Sequence, residues 1–191
     1  MSRKSKSSAS IFVALLRGVN VGGKNMIRMS SLKDSFERTG FREVTTYINS
    51  GNIIFRASEG DAREMERMIE GMLSREYELE CKVVVRSFSE MAELVMSLPE
   101  TWDGDRAWKY NVIFLRHSID SENILDVLKP ASGIEQIVYR PGTLLWSARI
   151  SGMNRTSMLK LPGQKLFQEM TVRNTNTTKK LYELMKKMAD E

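Results

Sequence analysis

At 191 residues, with 41% hydrophobic and 28% charged side chains, the chain has the composition of one large or two compact globular domains, and no apolar run approaches the ~20 residues that span a bilayer. The net charge of +5 sits at the ends: residues 1–10 carry +3, residues 149–191 hold nine Lys or Arg against four Asp or Glu, and residues 11–148 are mildly acidic at −3. One cysteine and one histidine exclude an internal disulfide and a zinc site of four Cys or His ligands within one chain.

In chain order, MSRKSKSSAS at 1–10 is basic and serine-rich, too polar to order itself, and is expected to be a disordered tail. Residues 11–16 form a continuous apolar run, read as a buried central strand; the run is too short for a secretory signal, so a cytoplasmic location is expected. The polar, glycine-rich stretch RGVNVGGKN follows at 17–25. Ser30 or Ser31 can cap a helix over 31–39 with Met29, Leu32 and Phe36 on its apolar face and Gly40 at its end. Segments 44–49 and 52–56 flank Ser50-Gly51 and read as a hairpin. Met65, Met68, Ile69, Met72 and Leu73 recur at helical spacing within 61–77, with Glu64, Glu66 and Glu70 expected on the solvated face. The β-branched run 81–86 leads into Ser87, which with Glu90 makes a capping box for a short helix to 98. Strand, helix, strand, strand, helix, strand is the ferredoxin-like split βαβ order.

Residues 99–109 read as a linker. The same order then recurs as strand 110–116, helix 121–128, strand 136–140, a Pro141-Gly142 turn and strand 143–150. A helix at 164–170, a short strand near Val172 and a last helix over 177–189 complete it. The expected fold class is α+β with two ferredoxin-like subdomains, 11–98 and 110–191, duplicated in topology without a residue-level repeat.

This topology predicts a candidate site. In a split βαβ the first two strands run parallel with the third between them, so they end at the same sheet edge. Arg17, Asn20, Gly22, Gly23, Lys24 and Asn25 should therefore face Asn49, Ser50 and Asn52, with the two glycines offering main-chain N–H groups as a concave anion cradle. Gly18, Gly23 and Lys24 satisfy the opening of a phosphate-binding P-loop. Asn25 stands where that motif needs the Mg²⁺-binding hydroxyl, so a nucleotide triphosphatase is not expected. Arg173, Asn174 and Asn176, ahead of the last helix with Asn176 or Thr177 as its cap, form a second polar cluster. His117 has no evident nucleophile or acid partner and reads as a loop residue; Cys81 reads as a buried structural thiol. No catalytic residue, metal or cofactor is indicated. The ligand expected is phosphate-bearing or otherwise anionic, a nucleotide or nucleic acid. An enzyme of unknown reaction using the same polar groups, or an interaction protein without a small ligand, are the alternatives.

LLRGVNVGGKN, TYINSGNIIF, RPGTLLWS and TVRNTNTTKKL together resemble a family of uncharacterised, mainly bacterial cytoplasmic proteins catalogued as a domain of unknown function, whose members carry LLRGINVGGKN, YIQSGNVVF and RNWNT. The resemblance covers nearly the whole chain from Ile11 and implies an α+β fold with ferredoxin-like subdomains and no established activity or cofactor. Thr175 stands where the closing motif carries tryptophan, which puts a ligand contact at that position in doubt here.

Overall fold

The computed structural model describes residues 9–58, 60–102, 105–160, 162 and 164–191; the expected disordered tail lies, except for residues 9 and 10, outside them. The apolar run forms β1 (Ser10–Leu16), and Ile11 through Leu16 are all buried, as required of a strand covered on both faces. It is followed by α1 (Met29–Arg38), β2 (Arg42–Tyr47), β3 (Asn52–Ala57), α2 (Ala62–Tyr77), β4 (Val83–Ser87) and α3 (Phe88–Met96). The sheet order is β2-β3-β1-β4 and every neighbouring pair is antiparallel, so β1 and β2 run parallel with β3 between them. One face of this sheet, with Phe12, Ala14, Leu16, Ile53, Phe55, Val83 and Val85, packs on Leu32 and Phe36 of α1 and on Met65, Ile69, Met72 and Leu73 of α2. Each of these larger side chains contributes about 1.5–3 kcal/mol on burial.

Local chemistry explains the element ends. Asp61 caps α2 by accepting the Arg63 N–H at 2.9 Å. The capping box expected at α3 forms: the Ser87 hydroxyl accepts the Glu90 N–H at 3.3 Å, and the Glu90 carboxylate accepts the Ser87 N–H at 2.7 Å. Helix α1 begins two residues earlier than expected, and neither Ser30 nor Ser31 caps it; Arg28 takes the N-cap position without a side-chain hydrogen bond.

A second correction concerns the acidic face of α2. Glu66 is only 2% exposed and accepts the Val85 N–H at 3.0 Å, while Glu70 accepts the Val83 N–H at 3.0 Å. Helical periodicity could not anticipate this, because β4 is an edge strand whose outward N–H groups need acceptors. With Ser87 bound to Glu90, alternate N–H groups along that edge all end on carboxylates.

The second half repeats the plan with β5 (Trp108–Leu115), α4 (Ile124–Leu128), β6 (Glu135–Arg140), β7 (Thr143–Arg149), α5 (Lys165–Gln168), β8 (Met170–Asn174) and α6 (Thr175–Asp190). Its order β6-β7-β5-β8 matches the first sheet position for position. The equivalence reaches single hydrogen bonds. Leu16 N–H donates to Gly51 C=O at 2.8 Å and Leu115 N–H to Gly142 C=O at 2.9 Å; Arg17 N–H donates to Lys82 C=O at 3.0 Å and Arg116 N–H to Glu169 C=O at 3.1 Å. The counterpart of α2 is missing: 3-10 segments Ile150–Arg155 and Ser157–Lys160 and the one-turn α5 take its place.

Contacts divide the chain into one unit running to Ala92 together with Leu181–Glu191, and a second unit, Glu93–Lys180. The stretch 99–109, expected from sequence to be a linker, holds a 3-10 turn, Glu100–Trp102, with residues 103 and 104 outside those described, and its last two residues open β5. The second half of α6 counts with the first unit, where Arg56 Nη2 donates to Met188 C=O and the Phe88 and Tyr182 rings stack at 5.6 Å.

Candidate functional site

The stretch after β1 folds as a miniature hairpin. Asn20 N–H donates to Asn25 C=O and Lys24 N–H to Val21 C=O, both at 3.1 Å, closing a turn whose central residues Gly22 and Gly23 have φ of 60° and 75°. Two successive positive φ values define a type I′ turn, which glycine adopts without strain. The glycines therefore form an exposed tip, where the sequence suggested a concave cradle. Asn20 and Asn25 also sit at positive φ, 54° and 53°, which asparagine tolerates better than most residues.

This hairpin meets the turn between β2 and β3, as the topology required. The Asn20 side chain makes the junction: Nδ2 donates to Asn49 C=O and to Ile27 C=O, both at 2.9 Å, and Oδ1 accepts the Ile27 N–H at 2.7 Å. Gly51 (φ 68°) lies so close beneath that a Cβ there would stand 2.7 Å from the Leu16 Cβ. Asn52 is fully buried and directs Nδ2 to Tyr47 C=O at 3.1 Å and to the Ser50 hydroxyl at 3.0 Å. Asn25 Nδ2 reaches Gly18 C=O at 3.0 Å. The asparagine amides thus hold the two segments in shape, and the Cys81 thiol adds a contact to Arg17 C=O at 3.2 Å from within the core.

Between the segments opens a cleft of about 620 Å³ lined by Asn20, Met26, Ile27, Arg28, Met29, Ser30 and Asn49. The N-terminus of α1 points into this region of the chain. Its first helical bond runs from Leu32 N–H to Arg28 C=O, so the N–H groups of Met29, Ser30 and Ser31 precede the helical ladder, and the first turn contains no acid. Arg28, on the cleft lining, is exposed, as is Lys24 in the preceding hairpin; Arg17 is half-buried, and Met26, 71% exposed, forms an apolar rim. Helix N-termini carry partial positive charge and main-chain donors, so the local chemistry suits an anion.

The second polar cluster lies in the other unit. Arg173 is buried and donates from Nη1 to Thr171 Oγ1 at 3.0 Å and to Val172 C=O at 2.9 Å. The cap of α6 is Asn174, whose Oδ1 accepts the Thr177 N–H at 2.7 Å; Asn176, exposed, and Thr177 lie already within the helix. Thr175 is 4% exposed. Among the described residues, no group of His, Cys, Asp and Glu is arranged to hold a metal ion, and no helix is long and apolar enough to cross a membrane.

The sequence profile of a family described as a protein of unknown function, DUF1697, matches residues 10–146. The chain belongs to the DUF1697 family. Among solved structures, the conserved bacterial protein SP0830 from Streptococcus pneumoniae is similar with a TM-score of 0.81 at 23% identity, over 93% of this chain and 99% of that one. That likeness supports the fold of two ferredoxin-like subdomains. No curated protein matches. The DUF1697 match includes the hairpin after β1, the Asn49–Asn52 turn and the cleft between them, and ends before Arg173.

One polar residue of this DUF1697 chain escaped sequence reasoning. Glu135, 5% exposed at the start of β6, accepts Trp146 Nε1 at 2.8 Å on Oε2, and the N–H groups of Ala131 at 2.8 Å and Ser157 at 2.6 Å on Oε1. Burial alone would raise its pKa, but these donors outweigh burial and hold the carboxyl below its ordinary range. With three donors on its carboxylate, Glu135 ties the long β7–β8 connection to β7 and to the start of β6.

Proposed function

We propose that the chain binds a phosphate-bearing ligand, such as a nucleotide, in the cleft at the N-terminus of α1, between the 17–25 hairpin and the 49–52 turn. The observation that carries the reading is an uncapped N-terminus of α1 beside a cleft walled by both polar segments. Anionic oxygens there would accept the N–H groups of Met29 to Ser31, with charge from Arg28 and Lys24. Asn20 and Asn52 are assigned to holding the walls, because their amides are already bonded within the fold. Binding is claimed and no reaction is, since nothing in the cleft pairs a nucleophile with a base.

A thermal-shift screen with nucleotides, sugar phosphates and inorganic phosphate tests this, because a ligand that binds only the native state raises the melting temperature. A rise with phosphate-bearing compounds that is lost in Arg28→Ala and reduced in Lys24→Ala is expected. The reading fails if no anion shifts the wild-type protein, or if both variants respond as the wild type does.

A further inference from the structure

The sheet edges of this chain are treated unequally. On β4, Glu70, Glu66 and Glu90 take the outward N–H groups. On β2 the register breaks between Arg42 and Thr45, where Glu43 sits at φ 49°, a bulge of the kind that spoils an edge for further pairing. The β8 edge is only five residues long, and Met170, Thr171 and Arg173 on it are buried. The remaining edge, β6, has none of these devices: Glu135 to Arg140 pair with β7 in unbroken register.

The outward groups of β6 follow from that register. Arg149 N–H donates to Ile134 C=O, so alternate residues 134, 136, 138 and 140 bond to β7, while 135, 137 and 139 point away. Glu135 N–H is taken by Ala131 C=O at 3.1 Å. For the N–H and C=O of Ile137 and the N–H of Tyr139 there is no partner among the described residues; Tyr139 C=O accepts only Nη1 of the exposed Arg140 side chain at 3.1 Å.

We infer that β6 pairs antiparallel with β6 of a second copy of this chain, about a twofold axis at Val138. Both ends select this register: Glu135 has no free N–H and Pro141 has none at all, and Val138 is midway between them. Ile137 and Tyr139 of one copy then exchange main-chain hydrogen bonds with Tyr139 and Ile137 of the other, a β-branched residue opposite an aromatic. Asp120 already steadies the Tyr139 ring, accepting its hydroxyl at 3.0 Å. On the opposite face Val138, 43% exposed, meets its own copy, and Gln136 stands opposite Arg140, so no like charges oppose each other. Displacing the Arg140 guanidinium from Tyr139 C=O requires only an exposed side chain to swing outward.

One strand pair buries less than the ~1,200 Å² of stable complexes, so the dimer is expected to dissociate in the upper micromolar range. Sedimentation equilibrium of the full chain, up to roughly 1 mM, tests this. The expected result is a monomer–dimer equilibrium that Val138→Glu weakens at least about tenfold by setting two carboxylates face to face, while Val138→Ile leaves it intact or tightens it. Circular dichroism and melting temperature should match the wild type for both variants, because the Val138 side chain is exposed. A wild-type chain that stays monomeric throughout overturns the inference, as does a dimer equally strong in Val138→Glu.

Discussion

Asn20 is the residue on which the candidate site most depends, since one side-chain amide joins the hairpin, the Ile27 main chain and the Asn49 turn. Replacing it with alanine leaves two carbonyls and one N–H without their partner, a loss of about 1–3 kcal/mol, with faster amide exchange at Ile27 as the specific mark. Gly51→Ala adds a methyl where Leu16 already stands at 2.7 Å and imposes positive φ on a residue with a Cβ. A destabilisation of roughly 1–3 kcal/mol in chemical unfolding is expected. Glu135 makes a pH-dependent prediction. Its folded pKa lies below the unfolded one, so its contribution is fully present above the unfolded value, near 4.3, and is lost as pH falls through the folded value. Glu135→Gln should therefore be less stable than wild type at neutral pH, by about 1–3 kcal/mol, and the difference should shrink in acid.

At the scale of elements, β4 and α2 form a unit that neither makes alone. The strand is short and well packed, but as an edge strand it has outward N–H groups that packing alone does not satisfy, and α2 supplies carboxylates one helical turn apart to N–H groups two residues apart. Glu66→Ala should cost about 1–3 kcal/mol, whereas Glu66→Gln, which keeps an acceptor oxygen, should cost less. Exchange protection at Val85 separates the two: it should fall in the alanine variant and largely survive in the glutamine one. The second sheet shows the opposite solution. Without a long helix beside β8, its connection is ordered by the single Glu135 carboxylate and by Trp146 in the core.

For the whole molecule, α6 decides where the units end. Its residues from Leu181 onward belong with the first unit, through Arg56 to Met188 and Tyr182 on Phe88. Deleting residues 181–191 should therefore loosen the first sheet, raising amide exchange in β3 and β4 more than in β6 and β7, although the cut lies at the far end of the sequence. If the second sheet alone responded, this division of the chain would be wrong.

The sequence by itself determined the order of elements and, through it, the meeting of the hairpin with the Asn49–Asn52 turn, because apolar periodicity, capping residues and turn glycines are local signals that survive without tertiary context. The Ser87–Glu90 box and the burial of residues 11–16 were legible for the same reason. What only the tertiary structure decided were the partners of side chains. Glu66 and Glu70 look like a solvated face until an edge strand needs acceptors, Glu135 looks like any surface acid until the β7–β8 connection folds over it, and Asn20 and Asn52 look like ligand donors until main-chain carbonyls claim them. The start of α1 moved for a related reason: Ser30 and Ser31 are good caps in isolation, but Asn20 holds Ile27 on both its N–H and its C=O, and the helix begins at Met29, leaving its N-terminus uncapped beside the cleft.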